Sequence, residues 1–180
     1  SVEEVVREVE EKLRKLIDDV RRVVEENRRN TERLRKRVTE VVKRNEDILR
    51  RLEEDIRRVE RAEEAKEVLK RLKEETDRLL ERVEEVVRRT KKKTEDLLRD
   101  VERLLREIKK ELEDLLRNNV SEEVAKTALR KVEDLLKKLK ERAEDSSRDN
   151  HRISKELTEE LEESSKRVKT LVDELRKTVK

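Results

Sequence analysis

The chain of 180 residues contains no Gly, Pro, Cys, Met, Trp, Tyr or Phe. Ordinary proteins use about 7% Gly and about 5% Pro, so the joint absence is far outside normal composition. Without Cys there are no disulfides, no thiolate metal ligands and no thiol nucleophile. Without aromatics there are no stacking platforms of the kind that hold single-stranded nucleic acid. Runs of apolar residues never exceed two, which excludes a membrane-spanning stretch and the apolar centre of a signal peptide. No initiator Met is present, and Ser1 is expected to follow a cleaved tag. The expected setting is a soluble protein produced recombinantly in a bacterial cytoplasm, with no natural localisation.

Charge of one sign is also missing. Charged residues make up 56% of the chain, yet the net charge is only +3, and each third of the sequence carries a single excess positive charge. No basic domain or tail exists to draw nucleic acid or anionic lipid. Lys91, Lys92 and Lys93 form a short basic run among acidic neighbours, read as solvated surface.

What is present is a helical period. High charge with low hydrophobicity is a signature of disorder unless periodicity opposes it, and here it does. In the first third the apolar residues fall at Val2, Val5/Val6, Val9, Leu13, Leu16/Ile17, Val20, Val23/Val24, Leu34, Val38, Val41/Val42, Ile48/Leu49, Leu52, Ile56 and Val59. These alternating steps of three and four follow one face of a helix, and the rest of the chain repeats them. Most of the other residues are good helix formers. Two breaks interrupt the stripe. Asn118-Asn119-Val120-Ser121-Glu122-Glu123 suits a helix end followed by an N-cap and an acidic first turn. Between Val59 and Ala65 the apolar phase slips without any turn residue.

The reading is an all-α fold: a single long up-down-up three-helix bundle over 1–180, coiled-coil-like, with a slight left-handed supercoil. Its helices are expected at about 2–59, 63–117 and 121–179, each roughly 85 Å long at about 1.5 Å per residue. Doubled apolar positions widen each stripe enough for a helix to face two neighbours. Little apolar surface is then left over, so a monomer is expected.

Polar residues interrupt the stripe at Asn27, Thr31 and Asn45, at Thr76, Thr90 and Thr94, and at Ser146, Asn150 and Ser164. If the first two helices are antiparallel, residues at one level have numbers adding to a constant. Asn27 with Thr94, Thr31 with Thr90 and Asn45 with Thr76 all add to 121. Thr94 with Ser146, Thr90 with Asn150 and Thr76 with Ser164 all add to 240. Three polar layers follow: Asn27/Thr94/Ser146, Thr31/Thr90/Asn150 and Asn45/Thr76/Ser164. The same sums group Leu13 with Ile108 and Val132, Val20 with Val101 and Leu139, Leu34 with Val87 and Ile153, Val38 with Val83 and Leu157, and Leu52 with Leu69 and Leu171. All five of these levels are apolar. Matched polar layers let buried groups bond one another and penalise shifted registers, in which Asn would face Leu. A polar channel is the competing reading, and a three-helix core leaves little room for one.

No other motif points to chemistry. His151 is the only histidine and has no companion ligands at metal or catalytic spacing. Inward Glu with Glu-x-x-His, the di-iron pattern, is missing. Asn119-Val120-Ser121 matches a glycosylation acceptor, but a capping turn explains it. No nucleophile–base pair or phosphate loop appears, so an enzyme is not expected. No catalytic residue, metal, cofactor, nucleic acid, membrane or protein partner is expected.

With its restricted alphabet, its Asn27, Asn45 and Asn150 placed with Ser and Thr partners, and its Glu/Arg/Lys surface, the whole chain resembles de novo, parametrically designed helical bundles with buried hydrogen-bond networks. It departs from them in having no Gly or Pro at its loops. The resemblance implies a rigid scaffold without natural activity, whose polar layers specify register. The alternative is an interaction module: one component of a designed oligomer, or a switch whose third helix detaches. A natural spectrin-like or apolipoprotein-like bundle would be expected to carry aromatics, Gly or Pro.

Overall fold

The computed structural model describes residues 2–58, 62–117 and 121–179. Three α-helices account for nearly all of them: α1 (Val2–Ile56), α2 (Ala62–Arg117) and α3 (Glu122–Val179). The fold is an all-α three-helix bundle. Each helix follows from the same cause: a 3.6-residue apolar period on a background of strong helix formers, with no Gly or Pro to interrupt it.

Local chemistry sets the ends. Each helix opens with two Glu in its first turn, Glu3/Glu4, Glu63/Glu64 and Glu122/Glu123, where carboxylates complement the helix dipole. Ser121 caps α3, its Oγ accepting from the Val124 N–H at 3.4 Å, while its carbonyl accepts from Ala125 N–H at 3.0 Å. After Ile56 the chain tightens into a turn: Arg57 N–H donates to Glu53 O and Arg58 N–H to Asp55 O, each at 3.3 Å. Of the two sequence breaks, Val59, Glu60 and Arg61 in the first and Asn118, Asn119 and Val120 in the second lie outside the described residues.

The chain divides into two compact units, and every helix contributes to both. The first unit comprises residues 1–28 and 90–150; the second comprises 29–89 and 151–180.

In the first unit two aliphatic clusters are joined through Leu13, Leu16 and Leu135, which pack against both. One centres on Ile108 and Val132, both with no exposed surface, and includes Val6, Val9, Leu112, Leu115 and Leu136, with Leu13 packed against it. The other gathers Val20, Leu97, Val101, Leu104, Leu139 and Ala143. Two of the apolar levels expected from the residue sums, Leu13/Ile108/Val132 and Val20/Val101/Leu139, therefore each fall inside one cluster.

The second unit has its own pair of clusters. Leu34, Val38, Val42, Leu79, Val83, Val86, Ile153, Leu157 and Leu161 form one, and Leu49, Leu52, Ile56, Ala65, Val68, Leu69, Leu72, Val168, Val172 and Leu175 form the other. Val38, Val83 and Leu157 share a cluster, as do Leu52, Leu69 and the partly buried Leu171. At the Leu34 and Ile153 level the buried α2 residue is Val86, and the expected Val87 is half-buried. Both lie on a doubled position, and the helix rotation brings the first of the two inward.

Candidate functional site

The residues with chemistry beyond packing are the polar side chains inside these cores. In the second unit Asn45, Thr76 and Ser164 are 4%, 3% and 2% exposed. Asn45 Nδ2 donates to Thr76 Oγ1 at 3.4 Å, joining α1 to α2. Thr76 can only accept here, because its own proton goes to Leu72 O at 3.0 Å, one turn back in α2. Among the described residues, Ser164 Oγ has no hydrogen-bond partner. The expected three-residue level thus contains an Asn–Thr bond with the serine hydroxyl outside it.

In the first unit Asn27 is buried, and Thr94 and Ser146 are half-buried. Asn27 Nδ2 donates to Ser146 Oγ at 3.1 Å, joining α1 to α3 across 119 residues. Thr94 repeats the behaviour of Thr76 by donating to Thr90 O at 2.9 Å. Thr90 and Asn150 are buried in this same unit, and Thr90 Oγ1 has no partner among the described residues. Thr31, the third member of that expected level, is half-buried and belongs to the second unit.

Sequence reasoning missed Glu75, which is 6% exposed. It lies three residues after Leu72 and four before Leu79, both core, so it occupies a stripe position that periodicity alone identifies. Arg167 Nε of α3 donates to Glu75 Oε1 at 2.9 Å, and Arg78 Nη1 lies 3.5 Å from Oε2. A buried carboxylate is tolerable only with such charged donors around it. Close by in the same unit, Arg82 Nε donates to both oxygens of Glu160, at 2.8 and 3.1 Å, and Arg82 Nη1 lies 3.3 Å from Glu85. The hydrogen bond to Glu160 raises the Arg82 guanidinium above its ordinary value despite partial desolvation. Ser154 Oγ was likewise missed; it is buried without a partner among the described residues.

No family model, curated protein or solved structure matches this chain.

The remaining sequence candidates fall on the surface. His151 is exposed on α3, and Lys91 and Lys92 are exposed on α2. Lys93 pairs with Asp149 at 3.4 Å. Among the described residues no group of three or more His, Asp or Glu is arranged to hold a metal ion, and no helix is long and apolar enough to cross a membrane. What this set of side chains can do is accept, donate and pair charge between helices.

Proposed function

We propose that the chain is a de novo designed structural scaffold, without enzymatic chemistry, whose buried polar residues fix the register of its helices. The observation that carries this reading is the Asn45–Thr76 bond, set within aliphatic clusters at a residue pair marked out by the constant sum. Asn27–Ser146 supports it at the offset of 119 implied by the same sums. A neutral buried bond of this kind adds only about 0.5–1.5 kcal/mol net, while an orphaned polar group costs about 1–3 kcal/mol. Its larger effect is therefore to discriminate: a slipped register sets Asn45 or Asn27 against aliphatic side chains and orphans them. The restricted alphabet and the lack of any matching protein also support an artificial origin.

The test is the triple replacement Asn27→Leu, Thr94→Val and Ser146→Ala. Stability to denaturant should stay level or rise, while distances between nitroxide labels on α1 and α3 of the first unit should change from one population to several. A single unchanged population would overturn the role assigned to these residues. Light scattering supplies the second arm. A mass near 21.8 kDa supports a self-contained scaffold, and a doubled or tripled mass supports the component of a designed oligomer.

A further inference from the structure

The polar core residues are not the only groups that discriminate between registers. Charged side chains bridge α2 and α3 in a pattern of alternating sign. In the second unit, Arg71 pairs with Glu174 at 3.2 Å, Glu75 with Arg167 at 2.9 Å and Arg82 with Glu160 at 2.8 Å. Along α2 the signs run plus, minus, plus; along α3 they run minus, plus, minus. The α2 number rises as the α3 number falls, so the two segments are antiparallel.

Consider α3 of this unit displaced by seven residues. Along one row the aliphatic core tolerates the move, because Leu161, Val168 and Leu175 lie seven apart, while at the end of the segment buried Ile153 gives way to Glu160 in one direction and Ser146 in the other. All three are buried, so along this row aliphatic side chains replace one another. The charges do not tolerate it. Displacement in one direction sets Glu75 against Glu174 and Arg82 against Arg167. Displacement in the other sets Glu75 against Glu160 and Arg71 against Arg167. Like charge meets like charge both ways. Glu75 gives the effect its weight, since its side chain is only 8% exposed while the other partners keep contact with water. A buried carboxylate that loses its arginine and gains a second carboxylate is strongly disfavoured. The first unit holds two more pairs, Lys93–Asp149 and Asp100–Arg142, each at 3.4 Å. There a seven-residue displacement sets Asp100 against Asp149 one way and Lys93 against Arg142 the other.

We infer that Arg71, Glu75 and Arg82 on α2 form a recognition face that admits α3 only in the register presenting Glu174, Arg167 and Glu160. This charge code opposes the heptad slips that the Leu161, Val168 and Leu175 row by itself would permit. The inference rests on the reading that register is what this chain fixes. It assigns part of that task to residues outside the polar layers.

The experiment exchanges signs. One variant carries Glu75→Arg and Arg82→Glu; a second adds Arg167→Glu and Glu160→Arg. Both are unfolded in urea, which unlike guanidinium chloride does not screen charge. Since the chain has no cysteine, nitroxides at Asp77→Cys and Lys169→Cys report the α2–α3 distance within the second unit. Both positions are exposed. The first variant should show an unfolding constant raised by about 10-fold or more. Its label distances should split into more than one population as α3 moves along its axis by about 10.5 Å, the rise of seven residues. The second should return to within about 3-fold of the parent with a single distance population. Should the first variant fail to fold, recovery of folding in the second supports the charge code equally. A second variant no better than the first, or a first indistinguishable from the parent, would overturn the charge code. Because the exchange leaves Asn27, Asn45 and their partners intact, that failure would leave the role of the polar core residues standing.

Discussion

Ser164 offers the sharpest test of how these polar residues act. Its hydroxyl is buried, the residue is 2% exposed, and Oγ has no hydrogen-bond partner among the described residues. A hydroxyl taken out of water without compensation costs about 1–3 kcal/mol. Ser164→Ala removes that cost and loses only one oxygen of volume. The exchange also gains about 0.5 kcal/mol of helix propensity, Ala over Ser. The neighbouring Ser165 is exposed on the same helix, so Ser165→Ala carries the propensity gain alone. Ser164→Ala should therefore stabilise the protein by about 1.5–3.5 kcal/mol and Ser165→Ala by about 0.5 kcal/mol. Chemical denaturation followed by helical circular dichroism measures both, with an unchanged dependence on denaturant as the check that only stability moved. If Ser164→Ala is destabilising, or matches Ser165→Ala, the hydroxyl is satisfied in solution and the reasoning fails.

Asn45→Ala should act in the opposite direction, costing about 2 kcal/mol in the same assay through a lost bond to Thr76 and an unfilled space. Leu139→Ala should cost about 3–5 kcal/mol, because Leu139 has no exposed surface. Leu98→Ala, at a side chain 46% exposed, should cost less than about 1 kcal/mol. Ser121→Ala removes the cap on α3 and should cost about 1 kcal/mol, read most directly as faster amide exchange over Glu122 to Ala125. Arg167→Leu leaves Glu75 buried beside a single more distant arginine and should cost more than Glu75→Leu combined with Arg167→Leu, a comparison made by denaturation of the two variants.

The fold was legible because every level of the sequence points the same way. The period, the helix-forming background and the acidic first turns agree, and nothing in the chain favours a strand. Asn27 and Asn45 stood out as polar residues on an apolar stripe, and their bonds to Ser146 and Thr76 follow the numbers. Three things were not legible. The threonines were expected to bond across the core, and Thr76 does so as an acceptor from Asn45, but a helical Thr hydroxyl gives its own proton to the carbonyl four residues back. Thr76 and Thr94 do this in the core, and Thr39, Thr127, Thr158, Thr170 and Thr178 do it elsewhere. Glu75 was hidden by its type, since a carboxylate on a stripe reads as surface until the Arg167 opposite it is known. The choice of Val86 over Val87 depends on helix rotation, which a doubled position leaves open.

The division of the chain bears on how it reaches its native state. Each unit combines one stretch contiguous in sequence, 90–150 in the first and 29–89 in the second, with a segment remote from it in sequence, 1–28 or 151–180. The contiguous stretches bring together residues near in sequence at little entropic cost, whereas Asn27 must meet Ser146 across a sequence separation of 119. Folding is thus expected to begin within 29–89 and 90–150, with residues 1–28 and 151–180 joining late.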